Sequence, residues 1–327
     1  MTSPSYKPLV LIVGATGRTG GVIIDALIKC AKFRTVALIR PSSAAKPEVE
    51  QLRARGVEIR LGDITDTEDK HKAVLSGIDV LISAVHSEHL TAQKPLISAA
   101  RDVGVKRVIP CDFAMPGAKG VQDMLDEKLA IRDFVRALGV GYTFVDVGWW
   151  MQLALPFPTS SEATGSPWVH ISREFYAKGD KKNLYTNMEH IGTYVARIID
   201  DDRTLNQYVI IWEDELTLEE VKTIAEKASG EEDVLRAKRV VVEADELQSR
   251  AKVAKEEALR NPNPGTQILR HGNQFMISMH ILGENSLENA KALGALDVRE
   301  LYPDIVPQKL GDFAQTFYQA PSLPNVQ

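Results

Sequence analysis

Leu9-Val10-Leu11-Ile12-Val13 runs directly into Gly14-Ala15-Thr16-Gly17-Arg18-Thr19-Gly20, and an amphipathic stretch continues from Gly20 to Ala31. An apolar strand, a glycine turn and a helix in immediate succession are the context that a phosphate-binding βα turn requires. Glycines there let the chain turn tightly and approach a pyrophosphate, whose charge meets unpaired N–H groups at the helix N-terminus. Outward from this turn the alternation repeats. Strand-like runs at Thr35 to Ile39, Val57 to Leu61, Val80 to Ala84, Arg107 to Pro110 and Tyr142 to Val147 are separated by helical patterns at Pro47 to Arg55, Asp66 to Leu75, Ala92 to Val103 and Val121 to Leu138. Strands joined by crossover helices pair in parallel, and right-handed crossovers wind the sheet outward on both sides. The expected class is therefore α/β, a doubly wound parallel sheet of the dinucleotide-binding kind over residues 1–152.

After Gly148 the regular alternation stops in a loop-rich stretch, Pro156-Phe157-Pro158-Thr159-Ser160-Ser161. Residues 153–327 are expected to form mainly a smaller α+β substrate-binding lobe, with about 186–213 returning to the first sheet through a strand at Tyr208 to Trp212. A Thr-Leu-Glu-Glu capping signal opens a helix from Thr217 to Ser229, a charged helix is expected from Glu243 to Arg260, and Asn261 to Gly265 reads as a turn.

The chain has 327 residues, with 39 Lys and Arg against 44 Asp and Glu and a formal charge of −5, which argues against condensation on a nucleic acid backbone. Cys30 and Cys111 form no disulfide framework and no zinc pair, and the seven histidines show no ligand spacing, so neither a metal nor an oxidising compartment is expected. Leu9 to Val13 is too short for a signal core or a membrane span. The expected location is cytoplasmic and the expected partner a small-molecule substrate. A homodimer is left open.

Twenty residues past Gly20, the second strand ends in Arg40-Pro41-Ser42-Ser43. A carboxylate there selects NAD by accepting from the ribose 2′-hydroxyl, whereas a guanidinium holds a 2′-phosphate in bidentate fashion. Arg40 therefore points to NADP(H), with Arg18 and Ser42 in support. Gly14, Thr16, Gly17, Thr19 and Gly20 form the turn, and Asp63 is placed beside the adenine. Ala84, Val85 and His86 end the fourth strand where ribose and nicotinamide should lie.

In the helix after the fifth strand, Met124, Ile131, Val135 and Leu138 form one apolar stripe, and Lys128 falls within about 40° of its centre. An ammonium on a face that should be buried needs a partner or a task. No Tyr stands four residues before a Lys anywhere in the chain; before Lys128 that place is held by Met124. Proton delivery or anion stabilisation in a reductase would then rest on Lys128 itself or on a water it holds.

From Val10 to about Tyr318 the chain resembles the NmrA-like and isoflavone-reductase-like branch of the atypical short-chain dehydrogenases. The resemblance is carried by the glycine turn, Gln93-Lys94-Pro95-Leu96-Ile97, Lys106 to Phe113, Lys128-Leu129-Ala130-Ile131-Arg132 and Leu301-Tyr302-Pro303-Asp304. It implies a Rossmann-type NADP-binding domain, the catalytic lysine at Lys128 and an associated basic position at Arg132, which is grouped with the cofactor contacts. It also puts Cys111 and Phe113 at the cofactor, Phe113 as a wall against the nicotinamide. Where the family's reductases commonly read Pro-Ser-Glu-Phe-Gly, this chain has Pro110-Cys111-Asp112-Phe113-Ala114, so the plant substrates need not be accepted. Met124 is similar to the arrangement of NmrA-type regulators, which bind dinucleotide without turnover.

Phe113, Met124, Trp149, Trp150 and Met151 are the expected substrate pocket, the aromatics suiting a flat or apolar metabolite. The expected activity is NADPH-dependent hydride transfer to a ketone, imine, enone or benzylic carbon. The alternative is an NADP(H)-sensing regulator that binds a protein partner.

Overall fold

The computed structural model describes residues 6–164 and 167–321. Its first eleven elements alternate as expected: β1 (Leu9–Val13), α1 (Arg18–Cys30), β2 (Arg34–Ile39), α2 (Pro47–Ala54), β3 (Glu58–Leu61), α3 (Glu68–Val74), β4 (Val80–Ser83), α4 (Lys94–Asp102), β5 (Arg107–Ile109), α5 (Asp123–Leu138) and β6 (Thr143–Asp146). Five strands form a sheet in the order β3-β2-β1-β4-β5, and each adjacent pair runs parallel. β6 approaches β5 through a parallel bridge between Val108 and Tyr142, and the strand Gln207–Ile210 hydrogen-bonds to β6 on its far side.

The sequence pattern explains the placement. All five residues of β1 are apolar and buried, as a central parallel strand covered on both faces must be, whereas β3 carries Glu58 and Arg60 at the exposed edge. The strand order reverses between β1 and β4, so their carboxyl ends bound the crevice in which α/β sheets bind ligands.

The chain divides into two compact units, each built from more than one stretch of sequence. The first takes the described residues up to Phe113 with Glu127–Asp146 and Glu189–Val209; the second takes Ala114–Asp126, Val147–Met188 and the described residues from Ile210 onward. The return to the first unit is sequence-driven. Gly192 in the helix Ile191–Ile198 faces α1 so closely that a Cβ would lie 2.0 Å from the Val22 carbonyl oxygen.

In the second unit, Trp149–Trp150, Lys182–Thr186 and Asp214–Thr217 form a three-stranded sheet, and Glu174–Tyr176 pairs in parallel with Val240–Val242. The helix Leu218–Ser229 starts with the expected capping box, Thr217 with Glu220. The segment 261–265 is not wholly a turn: Asn263 caps a further helix, Pro264–Met276, whose first residue is the proline. Among the described residues no helix is long and apolar enough to cross a membrane.

Candidate functional site

The glycine turn closes with Gly17 N–H donating to the Gly14 carbonyl at 2.9 Å, and α1 begins with no side chain capping it and no acidic residue in its first turn. The positive end of that helix therefore meets the turn uncompensated. Gly14 has φ of 78°, and a Cβ on it would lie 2.3 Å from the Ala84 carbonyl oxygen at the end of β4. A Cβ on Gly20 would lie 2.1 Å from the Gly14 carbonyl oxygen. Only hydrogen fits at either position, so the turn can lie flat between β1 and β4.

Arg18 stands on the first turn of α1 with its Nη1 buried and, among the described residues, without a hydrogen-bond partner. Burial weakens its hold on the proton and the nearby Glu189 opposes that effect. An orphaned guanidinium nitrogen beside a glycine cradle is suited to an anionic ligand. Arg40 is exposed at the end of β2, and its charge is one of the influences that hold the Asp63 carboxyl below its ordinary range, after hydrogen bonds from the Thr65 N–H and hydroxyl. Thr16 and Ser42 are exposed and Thr19 is half-buried. His86 is also exposed; its Nδ1 accepts the Glu88 N–H at 3.4 Å, so the imidazole caps the short turn that follows β4.

Around β5 and α5 the first unit holds a buried charge cluster. Lys128 is 8% exposed, and its Nζ donates to the Asp112 carbonyl oxygen. One helical turn further, the Arg132 guanidinium pairs with Asp146 Oδ1 at 2.6 Å and Asp112 Oδ2 at 3.1 Å, while Tyr208 donates its hydroxyl to Asp146 Oδ2 at 2.7 Å. The guanidinium carbon lies 4.6 Å from the centre of the Tyr208 ring and 5.4 Å from that of Phe144. Burial raises the Asp112 carboxyl to about 6 despite Arg132. Burial alone would lower Arg132, but the two carboxylates outweigh it and raise that group.

Arg132, expected among the cofactor contacts, is turned inward, 5% exposed and held between two carboxylates. Cys111 is also committed: its N–H donates to Gln93 Oε1 at 3.0 Å, its thiol donates to the Val85 carbonyl at 3.1 Å, and burial pushes the thiol up. Phe113 adopts φ of 43°, a left-handed conformation unusual for an aromatic residue, and its N–H is tied to the Val145 carbonyl at 2.8 Å. Val85 is half-buried, and the Cys111 contact ties the end of β4 to the turn after β5.

The expected pocket residues of the second unit divide. Met151 is fully buried in the core with Leu155 and Phe157. Trp149 is buried edge-on against Phe275 and lines a cavity of about 30 Å³ with Tyr176, Tyr185, Lys222 and His280. Trp150 and Met124 are half-buried. In that cavity Lys222 donates to the Ser172 carbonyl, and burial, with Arg239 nearby, lowers it to about 7. The His280 ring stacks on Tyr176 at 5.1 Å and is lowered to about 3 by burial and then by Lys222.

Sequence reasoning missed Asp112, Asp146 and Tyr208 as parts of the cluster. The available signal was an acid at the end of each of two apolar strand runs, Val108-Ile109-Pro110-Cys111-Asp112 and Phe144-Val145-Asp146.

The asnovolin J 5',6'-dehydrogenase of Aspergillus novofumigatus is 34% identical, over 94% of each chain. An isoflavone reductase homolog of Nicotiana tabacum is 30% identical over 71% of this chain and 80% of its own. The solved binary complex of leucoanthocyanidin reductase with NADPH from Vitis vinifera superposes with a TM-score of 0.76 at 23% identity, covering 95% of this chain and 99% of that one. The profile of the NmrA-like family matches residues 6–304, and the chain belongs to that family.

Proposed function

We propose that this protein is an NADP(H)-dependent oxidoreductase acting on a small apolar or aromatic metabolite. The observation that carries the reading is the Lys128 ammonium, buried and anchored on a backbone carbonyl at the turn after β5. Gly14, Gly17 and Gly20 with the α1 N-terminus would hold the pyrophosphate, with Arg18 beside them, and Arg40 the 2′-phosphate. The names of the relatives support redox chemistry and include both a dehydrogenase and a reductase homolog.

When bound, the nicotinamide supplies or accepts hydride. The chain's own contribution is electrostatic and protic: Lys128 offers N–H donors to the substrate oxygen or nitrogen on which negative charge develops, and a proton to neutralise it. Its retention on the Asp112 carbonyl keeps the amine from folding outward into water. Phe113, with its fixed backbone, offers an apolar wall near the turn.

The test is to mix purified protein with NADPH and a panel of ketones, imines, enones and benzylic ethers, and with NADP+ for the reverse direction, following absorbance of the reduced cofactor. Lys128→Ala should retain cofactor binding and lose turnover; full turnover in that variant removes the assigned role. Met124 keeps the regulatory reading in view: tight NADPH binding with no oxidation on any panel member, together with capture of a protein partner, would establish it instead.

A further inference from the structure

We propose that Arg132 is a positioning residue that, through Asp112, sets where the Lys128 ammonium sits. The proposal rests on the reading that Lys128 works at the reaction centre, and it differs from a cofactor-contact role for Arg132.

Lys128 and Arg132 are four residues apart on α5 and so project from the same face. Asp112 meets both of them. Its carbonyl oxygen receives Lys128 Nζ, and its carboxylate faces Arg132 Nε at 3.1 Å. That second contact is an ion pair rather than an aligned hydrogen bond, and neither carboxylate oxygen of Asp112 has a hydrogen-bond partner among the described residues. Asp112 is 1% exposed, so without Arg132 its carboxylate would be left buried and unpaired, and the residue would have to protonate or turn toward water. Either change disturbs the backbone that presents the carbonyl.

The rest of the cluster serves to hold the guanidinium still. Asp146 takes its other side, Tyr208 holds Asp146, and the Tyr208 and Phe144 rings cover the guanidinium. The turn is fixed from its other flank as well, by Asp112 N–H on the Pro110 carbonyl at 2.8 Å and by the left-handed Phe113 tied to Val145. A side chain that contacted the cofactor would not need four buried groups, Asp112, Asp146, Tyr208 and Phe144, aimed at immobilising it.

The experiment reads Lys128 without any substrate. Cofactor-free protein is treated with sulfo-N-hydroxysuccinimide acetate, and acetylation of each lysine is followed by peptide mass spectrometry in wild type, Arg132→Lys and the milder Tyr208→Phe. NADPH affinity is measured in parallel by tryptophan fluorescence. Lys222, 2% exposed and also anchored on a backbone carbonyl, is the internal control for general unfolding. We expect Lys128 acetylation to accelerate by roughly tenfold in Arg132→Lys, the order of factor that one hydrogen bond to a charged group represents. A smaller rise is expected in Tyr208→Phe, with Lys222 and the NADPH dissociation constant unchanged.

Unchanged Lys128 acetylation in both variants overturns the proposal. So does a loss of NADPH affinity with Lys128 still protected, which would return Arg132 to the cofactor, or an equal rise at Lys222, which marks general loosening. If Arg132→Lys does not fold, Tyr208→Phe decides alone. Failure of the reading beneath it shows separately: turnover retained in Lys128→Ala removes the Lys128 role, and no turnover on any substrate removes the oxidoreductase reading.

Discussion

Replacing Gly20 by alanine tests the cradle at its tightest point. The new Cβ would lie 2.1 Å from the Gly14 carbonyl oxygen, 2.7 Å from its carbon and 3.1 Å from the Ala15 nitrogen. All three are backbone atoms, so no side chain can rotate away. Ordinary contact begins at 3.4 Å, and the start of α1 must retreat by about 1.3 Å from the turn. Overpacking of this kind costs about 1–3 kcal/mol. If the strain falls on the geometry that meets the pyrophosphate, NADPH affinity drops by roughly 10–100-fold. Gly21→Ala is the matched control: its Cβ would come no nearer than 3.8 Å to the Ala15 carbonyl oxygen, and alanine favours the helix by about 0.5–1 kcal/mol. Both variants are measured by urea unfolding and by fluorescence titration with NADPH. Gly20→Ala with wild-type stability and wild-type affinity would refute the argument that close backbone approach dictates glycine here.

Three other expectations are independent of it. Arg40→Ala should weaken NADPH by roughly 10–100-fold, the worth of charged hydrogen bonds to a phosphate, and leave NADH nearly untouched; equal losses would place the 2′-phosphate elsewhere. Lys222 sits near 7 in the folded chain against an ordinary value of 10.5, so the unfolded chain binds more protons between those limits and stability rises with pH across them. Its contribution is at most about 5 kcal/mol, and Lys222→Met should flatten the stability profile measured by urea unfolding between about pH 7 and 10. Asp123, held low against burial by Lys255, Gln274 and Arg270, contributes stability that is present above its ordinary range and fades as pH falls below it. Asp123→Asn should therefore lower the urea midpoint at pH 7, and the difference from wild type should vanish in acid.

Two buried lysines show why burial alone does not identify a reaction centre. Lys128 and Lys222 are both almost covered, and each donates to a backbone carbonyl. Lys222 lies in a cavity of about 30 Å³, room for little more than a water, among Tyr176, Tyr185 and His280. Lys128 stands on α5 and its ammonium reaches the turn after β5, a strand of the parallel sheet. On the proposed reading it is position in the topology, rather than the cost of burial, that separates the two.

The sequence by itself determined whatever depends on neighbours along the chain. The apolar run of β1, the glycines that follow it and the repeat of strand and helix specify a parallel sheet with a glycine turn at its reversal. The seven-four-three spacing around Lys128 already placed that ammonium on the buried face of its helix. Arg40 was legible because a residue at the end of the second strand has one place to be in such a sheet. Tertiary structure alone decided the partners of buried charge. Arg132 could be read as basic and nearby, but its turn inward depends on Asp112, Asp146 and Tyr208, the last two of which meet across 62 residues. Likewise His86 became a turn cap, and Met151 went into a core that also draws on distant segments, Val221, Met276 and Phe313 among them. Periodicity records which face of an element is covered. Which charges come together beneath it is set by contacts between elements, and a pattern along one chain carries no measure of those distances.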